Sequence, residues 1–255
     1  MKERRIEVPT RDGSSEGFLY CPDGDGRWPG VLYLTDIGGI RASNREAAGR
    51  LADVGYAVLM PNVFYRTGRT PLQPPLRSLS GDAAKQRLAE LSQPLTPEAM
   101  EQDAAAYIGF LASQDCVRPG AMGVVGYCFT GKMALHTAAA LPDKIAAAAS
   151  FHGGGLFTDA PTSPHLTLPR IKARLYFAHA TNDRSMPEEA IMKLDRALET
   201  WGGKYESEVY PDAYHSWTAS DSPVYNPPQA ERAFQKLTEL FAATLSHRDG
   251  REEVA

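Results

Sequence analysis

Polar turn clusters punctuate the start of the chain: Asp12-Gly13 and Asp23-Gly24-Asp25-Gly26 separate short apolar runs, a pattern that predicts a strand or hairpin leading into a sheet. Further on the pattern changes. Gly30 to Thr35, Tyr56 to Met60, Ala121 to Gly126 and Ala173 to Ala178 are near-continuous apolar runs, as expected of strands buried on both faces. Ile145 to Phe151 and Tyr205 to Tyr210 add two more strands. Between them lie segments with apolar residues at helical spacing: Ser43 to Val54, Pro97 to Ser113, Gly131 to Leu141, Pro187 to Trp201 and Gln229 to Leu245. Thr96 followed by Pro97 is an N-cap and first-turn signature. Strand and helix alternating in this way imply right-handed crossovers, a parallel central sheet and a doubly wound three-layer α/β architecture. The polar, proline-rich stretch 66–93 reads as an insertion within a single domain spanning 1–255.

Composition narrows the function classes. With 255 residues, 43% hydrophobic and 23% charged, the chain can bury a sizeable core unaided. Its 27 Lys and Arg against 31 Asp and Glu give a formal charge of −4, and basic residues do not cluster beyond pairs, so neither nucleic acid nor an anionic membrane is the expected partner. A small molecule is, acted on by a monomer or homodimer. Cys21, Cys116 and Cys128 form an odd set without Cys-x-x-Cys spacing, which fits neither a disulfide framework nor a zinc site. The charged N-terminus lacks the apolar stretch of a leader or anchor. Unpaired cysteines and no leader predict a reducing, cytoplasmic location.

One of those cysteines stands out. In Val124-Val125-Gly126-Tyr127-Cys128-Phe129-Thr130-Gly131-Lys132 an apolar strand stops, turns through small residues and becomes a helix. A nucleophile elbow has this form: the nucleophile sits on a strained strand-to-helix turn, and the residues flanking it must be small so that the backbones can pass. Gly126 and Gly131 meet that demand and Thr130 meets it poorly. The start of a helix also favours a thiolate at Cys128. The ordinary reading of a cysteine here is a small hydrophobe closing a core strand. Its strand-turn-helix setting favours the nucleophile instead.

A cysteine nucleophile needs a base and a group to orient that base. Asp183 follows the strand ending at Ala178 and His215 follows the strand ending at Tyr210, so Cys128, Asp183 and His215 lie at strand C-terminal ends, where open α/β sheets build their sites. Taken singly, Asp183 reads as a turn residue and His215 as a surface histidine; their joint order carries the assignment. His136, His165, His179 and His247 sit less favourably. His152, in Phe151-His152-Gly153-Gly154-Gly155, is a candidate to line the pocket or to pack within the core.

These residues resemble the dienelactone hydrolase family of the α/β-hydrolase superfamily, whose elbow G-Y-C-x-G-G is matched by Gly126, Tyr127, Cys128 and Gly131, with Thr130 departing. The similarity extends through Leu34-Thr35-Asp36-Ile37-Gly38-Gly39, the loop around Asp183 and the His215-Ser216-Trp217 run, from about Val8 to Leu245. It implies an α/β-hydrolase fold and a cysteine-dependent carboxylic ester or lactone hydrolase without metal or organic cofactor. Cys128 would be the nucleophile, His215 the base and Asp183 its partner, with an oxyanion hole from the backbone N–H groups of Ile37 and Phe129. Asp36 would stand where the family has an acid touching the resting thiol, with a turn aspartate before Gly38-Gly39 as the less favoured alternative. The family's substrate-gripping arginine after the catalytic histidine has no match in His215-Ser216-Trp217-Thr218-Ala219, and Arg77 or Arg87 are the counterparts of a second. Phe64, Tyr65 and Trp217 then imply a more apolar pocket, unless they belong to the core. The competing expectation is a catalytically degenerate homologue that binds a small ligand or regulates; a thiol-redox protein is a third.

Overall fold

A computed structural model describes residues 1–245; His247 lies outside them. The first two strands, β1 (Lys2–Thr10) and β2 (Gly13–Cys21), form the expected hairpin, with Thr10 paired to Gly13 across the turn. Six more follow: β3 (Gly30–Leu34), β4 (Ala57–Pro61), β5 (Met122–Tyr127), β6 (Ile145–Phe151), β7 (Arg174–Ala180) and β8 (Tyr205–Tyr210). They make one eight-stranded sheet in the order β1-β2-β4-β3-β5-β6-β7-β8, antiparallel at β1, β2 and β4 and parallel from β4 to β8. This is an α/β-hydrolase fold.

The helices are α1 (Ala42–Asp53), α2 (Gly81–Ser92), α3 (Pro97–Ala112), α4 (Gly131–Ala140), α5 (Glu188–Trp201) and α6 (Pro227–Leu245). All five expected from periodicity form, displaced by no more than two residues at their ends. Local chemistry explains their limits. Thr96 accepts a hydrogen bond from the N–H of Ala99 at 3.2 Å ahead of Pro97, and Gly202 closes α5 in the left-handed conformation that glycine adopts without a Cβ penalty. The stretch 66–93, read from sequence as a polar insertion, contains α2 and buries Leu72, Leu91 and the Arg87 stem.

Two apolar layers sandwich the sheet. Leu32, Leu34, Leu59 and Val124 face α3, α4 and α5 through Ile108, Leu135 and Leu194, while Val31, Tyr33, Val58 and Val125 face α1 and α6 through Leu51 and Phe241. Every residue of β3 and β4 is buried, which is why these strands read as unbroken apolar runs. Consecutive strands leave β3 in opposite directions, β4 to one side and β5 to the other. The crevice beyond the carboxyl ends of β3 and β5 is thus the topological switch point where such sheets bind ligands.

The cysteine reading needs correction. Cys21, at the end of β2, is disulfide-bonded to Cys116, in the loop after α3, with Cα atoms 6.3 Å apart; Cys128 is the free cysteine. Trp28 brings the two segments together, its N–H donating to the Cys116 carbonyl at 2.9 Å while its own carbonyl accepts from Arg118 at 2.8 Å. The partners stand 95 residues apart, so spacing rules for short motifs gave no sign of them. The bond also removes the ground on which a reducing compartment was expected. Among the described residues no helix is long and apolar enough to cross a membrane.

Candidate active site

Three strand ends converge on one thiol. Cys128 follows β5 with φ 56°, a left-handed backbone rare for a residue with a Cβ. A Cβ on Gly126 would lie 2.2 Å from the Thr130 carbonyl oxygen, and one on Gly131 would lie 2.2 Å from Ser150 Oγ and 2.9 Å from Gly153 Cα. Both glycines are therefore required by close backbone passage. Thr130, expected to crowd the turn, instead stitches it. Its hydroxyl is fully buried, accepts from the Tyr127 N–H at 2.9 Å and donates to the Leu34 carbonyl at 3.0 Å, joining the elbow to the end of β3.

His215 stands between Cys128 and Asp183. His215 Nε2 stands 3.0 Å from Cys128 Sγ, and His215 Nδ1 donates to Asp183 Oδ2 at 2.6 Å. Burial lowers the affinity of His215 for a proton, but its hydrogen bonds to Asp183 and to Cys128 outweigh this and push its pKa up to about 10. Burial raises the Asp183 pKa, and the bonds from His215 and Ser185 override it, leaving the carboxyl below its ordinary value. Ser185 was missed from sequence. Its hydroxyl and its N–H both donate to Asp183 Oδ1, at 2.7 and 2.8 Å, so the carboxylate is held from one side while its other oxygen faces the imidazole. An Asp-x-Ser turn signature was available to find it.

The expected oxyanion donors lie on neighbouring loops. Leu34 pairs with Gly126 in the parallel ladder, so Ile37 and Phe129, each three residues further on, begin side by side at the same sheet edge. Gly38 N–H donates to Asp36 Oδ1 at 2.7 Å and Gly39 N–H to the Asp36 carbonyl at 3.0 Å, a turn that fixes the peptide of Ile37. Phe129 is held between Phe64, with ring centroids 6.4 Å apart, and Lys132, whose Nζ lies 3.8 Å from the ring centre.

Asp36 has a different partner from the one expected. Rather than facing the thiol, its two oxygens accept from Arg41 Nη1 and Nη2, both at 2.8 Å, in a bidentate pair. Arg41 reaches it from the N-cap position just ahead of α1, and the carboxylate, one methylene shorter than glutamate, is drawn to that side. Burial disfavours its charge, yet the Arg41 hydrogen bonds hold its pKa below the ordinary carboxylate value. Arg41 was not singled out from sequence, because a single arginine beside a helix start carries no pattern.

The aromatic candidates, left open between pocket and core, now have definite places. Trp217 is fully buried, stacked on Tyr210 with centroids 5.1 Å apart. Phe64 is buried beneath the elbow, and Tyr65 turns away to donate to Asp103 Oδ1 at 2.9 Å. Trp217 and Phe64 pack within the two apolar layers, while Tyr65 is partly buried against Asp103 and Arg66. Of the expected arginines, Arg87 packs on α2 with its Nη2 donating to the Gln73 carbonyl, whereas Arg77 reaches Asp221 in the loop after His215. His152 is buried too, but it touches the site. Its ring meets His215 edge-on at 5.3 Å and Trp217 at 5.0 Å, and its Nε2 lies 2.8 Å from Thr218 Oγ1. Burial, then the proximity of His215, lowers its pKa to about 3, so it packs against the base without adding charge.

Comparison with known proteins bears on the family and the fold. The dienelactone hydrolase family model matches residues 15–245. A carboxymethylenebutenolidase of Rhodococcus opacus is 28% identical over 232 residues, covering 90% of this chain and 86% of its own. A Klebsiella pneumoniae crystal structure superposes with a TM-score of 0.83 at 20% identity, over 94% of this chain and 98% of its own. The dienelactone hydrolase of Anabaena variabilis gives 0.69 at 20% identity, over 95% and 98%. At these identities the two structures speak for the fold alone.

Proposed function

The chain belongs to the dienelactone hydrolase family, and from that membership we propose that it is a cysteine-dependent hydrolase of carboxylic esters or lactones with activated, enol-like leaving groups. The observation that carries this reading is the unbroken chain of contacts from Asp183 through His215 to Cys128, at 2.6 and 3.0 Å, on the switch-point edge of the sheet. A complete relay also favours an enzyme over a degenerate, ligand-binding homologue.

In the proposed reaction Cys128 thiolate attacks the carbonyl carbon while the π pair moves onto oxygen. The N–H groups of Ile37 and Phe129 hold that oxyanion, a contribution of about 3 kcal/mol per donor in other enzymes. The C–O bond to the leaving group breaks as His215 delivers its proton to the departing oxygen, leaving a thioester at Cys128. His215, now neutral, takes a proton from water; the hydroxide displaces the thiolate, releases the acid and restores the starting pair. Asp183 keeps Nδ1–H bonded throughout and so holds Nε2 toward Sγ. Because thiolate is itself a good leaving group, the first intermediate goes forward only when the acyl partner leaves comparably well. Enol lactones, activated esters and thioesters fit; unactivated amides do not.

Hydrolysis of 4-nitrophenyl acetate tests the proposal directly. Cys128→Ala and His215→Ala are each expected to lower kcat/KM by at least about 10³. Full turnover in either variant would sink the assignment. Cys128→Ser should retain a fraction of activity with an altered leaving-group preference.

A further inference from the structure

The loop that carries Ile37 anchors a charge network that the reaction above does not use. Arg41 binds Asp36 through both terminal nitrogens and turns its Nε to Asp221 Oδ2 at 2.8 Å, with Nη2 3.4 Å from Asp221 Oδ1. Arg77 Nη1 completes the set, 2.9 Å from Asp221 Oδ2 and donating to the Asp221 carbonyl at 2.8 Å. Two guanidiniums and two carboxylates alternate, and their charges cancel. Three separate segments contribute: the loop after β3 next to Ile37, the 66–93 stretch, and the loop after His215. That last loop is closed at its base by the Asn226 N–H donating to the Trp217 carbonyl at 3.1 Å, which places Asp221 between these anchor points.

Asp221 sits where a bound carboxylate would. It spans two guanidiniums in the geometry with which arginines hold an anion. Asp36 and Arg41 are well buried, at 8% and 19% side-chain exposure, whereas Asp221 and Arg77 are 37% and 38% exposed, so the pair facing solvent is the one that a ligand reaches first. Burial opposes the charge on Asp221, but its hydrogen bonds to Arg41 outweigh this and hold its pKa well below the usual carboxylate range. It is ionised at any physiological pH. An acyl group carrying its own carboxylate would have to displace Asp221 or enter against its charge.

We propose that Asp221 is an internal carboxylate that occupies the Arg41–Arg77 pair and thereby selects esters and lactones whose acyl part is uncharged. This rests on the hydrolase reading, because the network flanks the site only if substrates sit over Cys128 beside Ile37. Removing the charge should convert the neutral flank into an anion site. Asp221→Asn keeps the side-chain shape, lies on an exposed loop and leaves Arg77 without a carboxylate partner.

Binding of monomethyl succinate and of its neutral analogue dimethyl succinate, followed by ligand-observed NMR titration, reads the selection without requiring turnover. Asp221→Asn should bind monomethyl succinate about tenfold more tightly than the wild type, the value of one charge-assisted pair, with dimethyl succinate unchanged. Added salt should shrink the gain, and Arg77→Gln in the Asp221→Asn background should return affinity to the wild-type level. Equal binding of monomethyl succinate by both proteins, or a wild type that prefers the acid over the diester, overturns the proposal. So does a gain that survives in the double variant. Asp221→Ser serves the same comparison where the Asn variant folds poorly. Turnover of 4-nitrophenyl acetate, measured alongside, reports on the hydrolase assignment separately.

Discussion

The two ends of the parallel strands meet the same backbone demand with different residues. Ahead of β4, β5 and β8 the chain enters the left-handed region at Gly55, Gly120 and Gly202, with φ of 99°, 139° and 71°, and no heavy atom lies within 4 Å of where their Cβ atoms would be. Beyond β5, β6, β7 and β8 that region holds Cys128, His152, Asn182 and Asp212, with φ of 56°, 41°, 53° and 56°. A side chain there costs about 1–2 kcal/mol, less for Asn and Asp, whose short polar groups bond locally. Cys128 and His152 have no such relief. Glycine turns the chain where only a turn is required, and strain is accepted where a particular side chain has to stand over the switch point.

Cys128→Gly breaks this contrast most sharply. Turnover of an activated ester should fall by at least about 10³, while the Tm should not fall, since glycine adopts φ 56° freely. A thermal midpoint lowered by the equivalent of more than about 1 kcal/mol would mean that the elbow stores no strain. Gly126→Ala should have the next largest effect, because its Cβ would collide with backbone at Thr130 rather than with a movable side chain. A loss of about 3 kcal/mol in urea unfolding, with activity falling in parallel, is expected. Thr130→Val keeps the shape but leaves the Tyr127 N–H and the Leu34 carbonyl without the hydroxyl, which should cost about 1–3 kcal/mol by the same measurement.

The His215 protonation state gives a subtler test. Its folded pKa of about 10 lies above its ordinary value of 6.5, so its contribution to stability is complete below the lower value and is lost as pH rises through the upper. The wild-type urea midpoint should therefore decline between pH 7 and pH 10, and His215→Gln should flatten that decline; parallel profiles would disprove the linkage. Gly55→Ala should do least: about 1 kcal/mol of stability lost to positive φ, with kcat/KM unchanged. A large loss of activity there would erase the distinction between the two edges.

Much of this site is visible in the residue order because its requirements are local. An elbow needs glycine at Gly126 and Gly131 within one turn of Cys128, and acid and base need only follow later strands. The substitution that looked like a defect, Thr130, becomes intelligible only when β3 is placed beside β5 and the Leu34 carbonyl comes within reach of its hydroxyl. Trp217, Phe64 and Tyr65 stayed undecided between pocket and core for a similar reason: an aromatic residue near a catalytic loop reads alike whether it faces a cavity or the sheet.

Periodicity and turn chemistry by themselves determined the strand–helix alternation, the parallel sheet, the elbow and the order of Cys128, Asp183 and His215, since each is a repeat or spacing over a few residues. Tertiary structure alone decided which cysteines pair, with Cys21 and Cys116 separated by 95 positions, and which carboxylate Arg41 would share between Asp36 and Asp221, the latter 180 positions away. Those contacts depend on how distant loops approach one another, and side-chain pairing between them leaves no periodic trace along the chain.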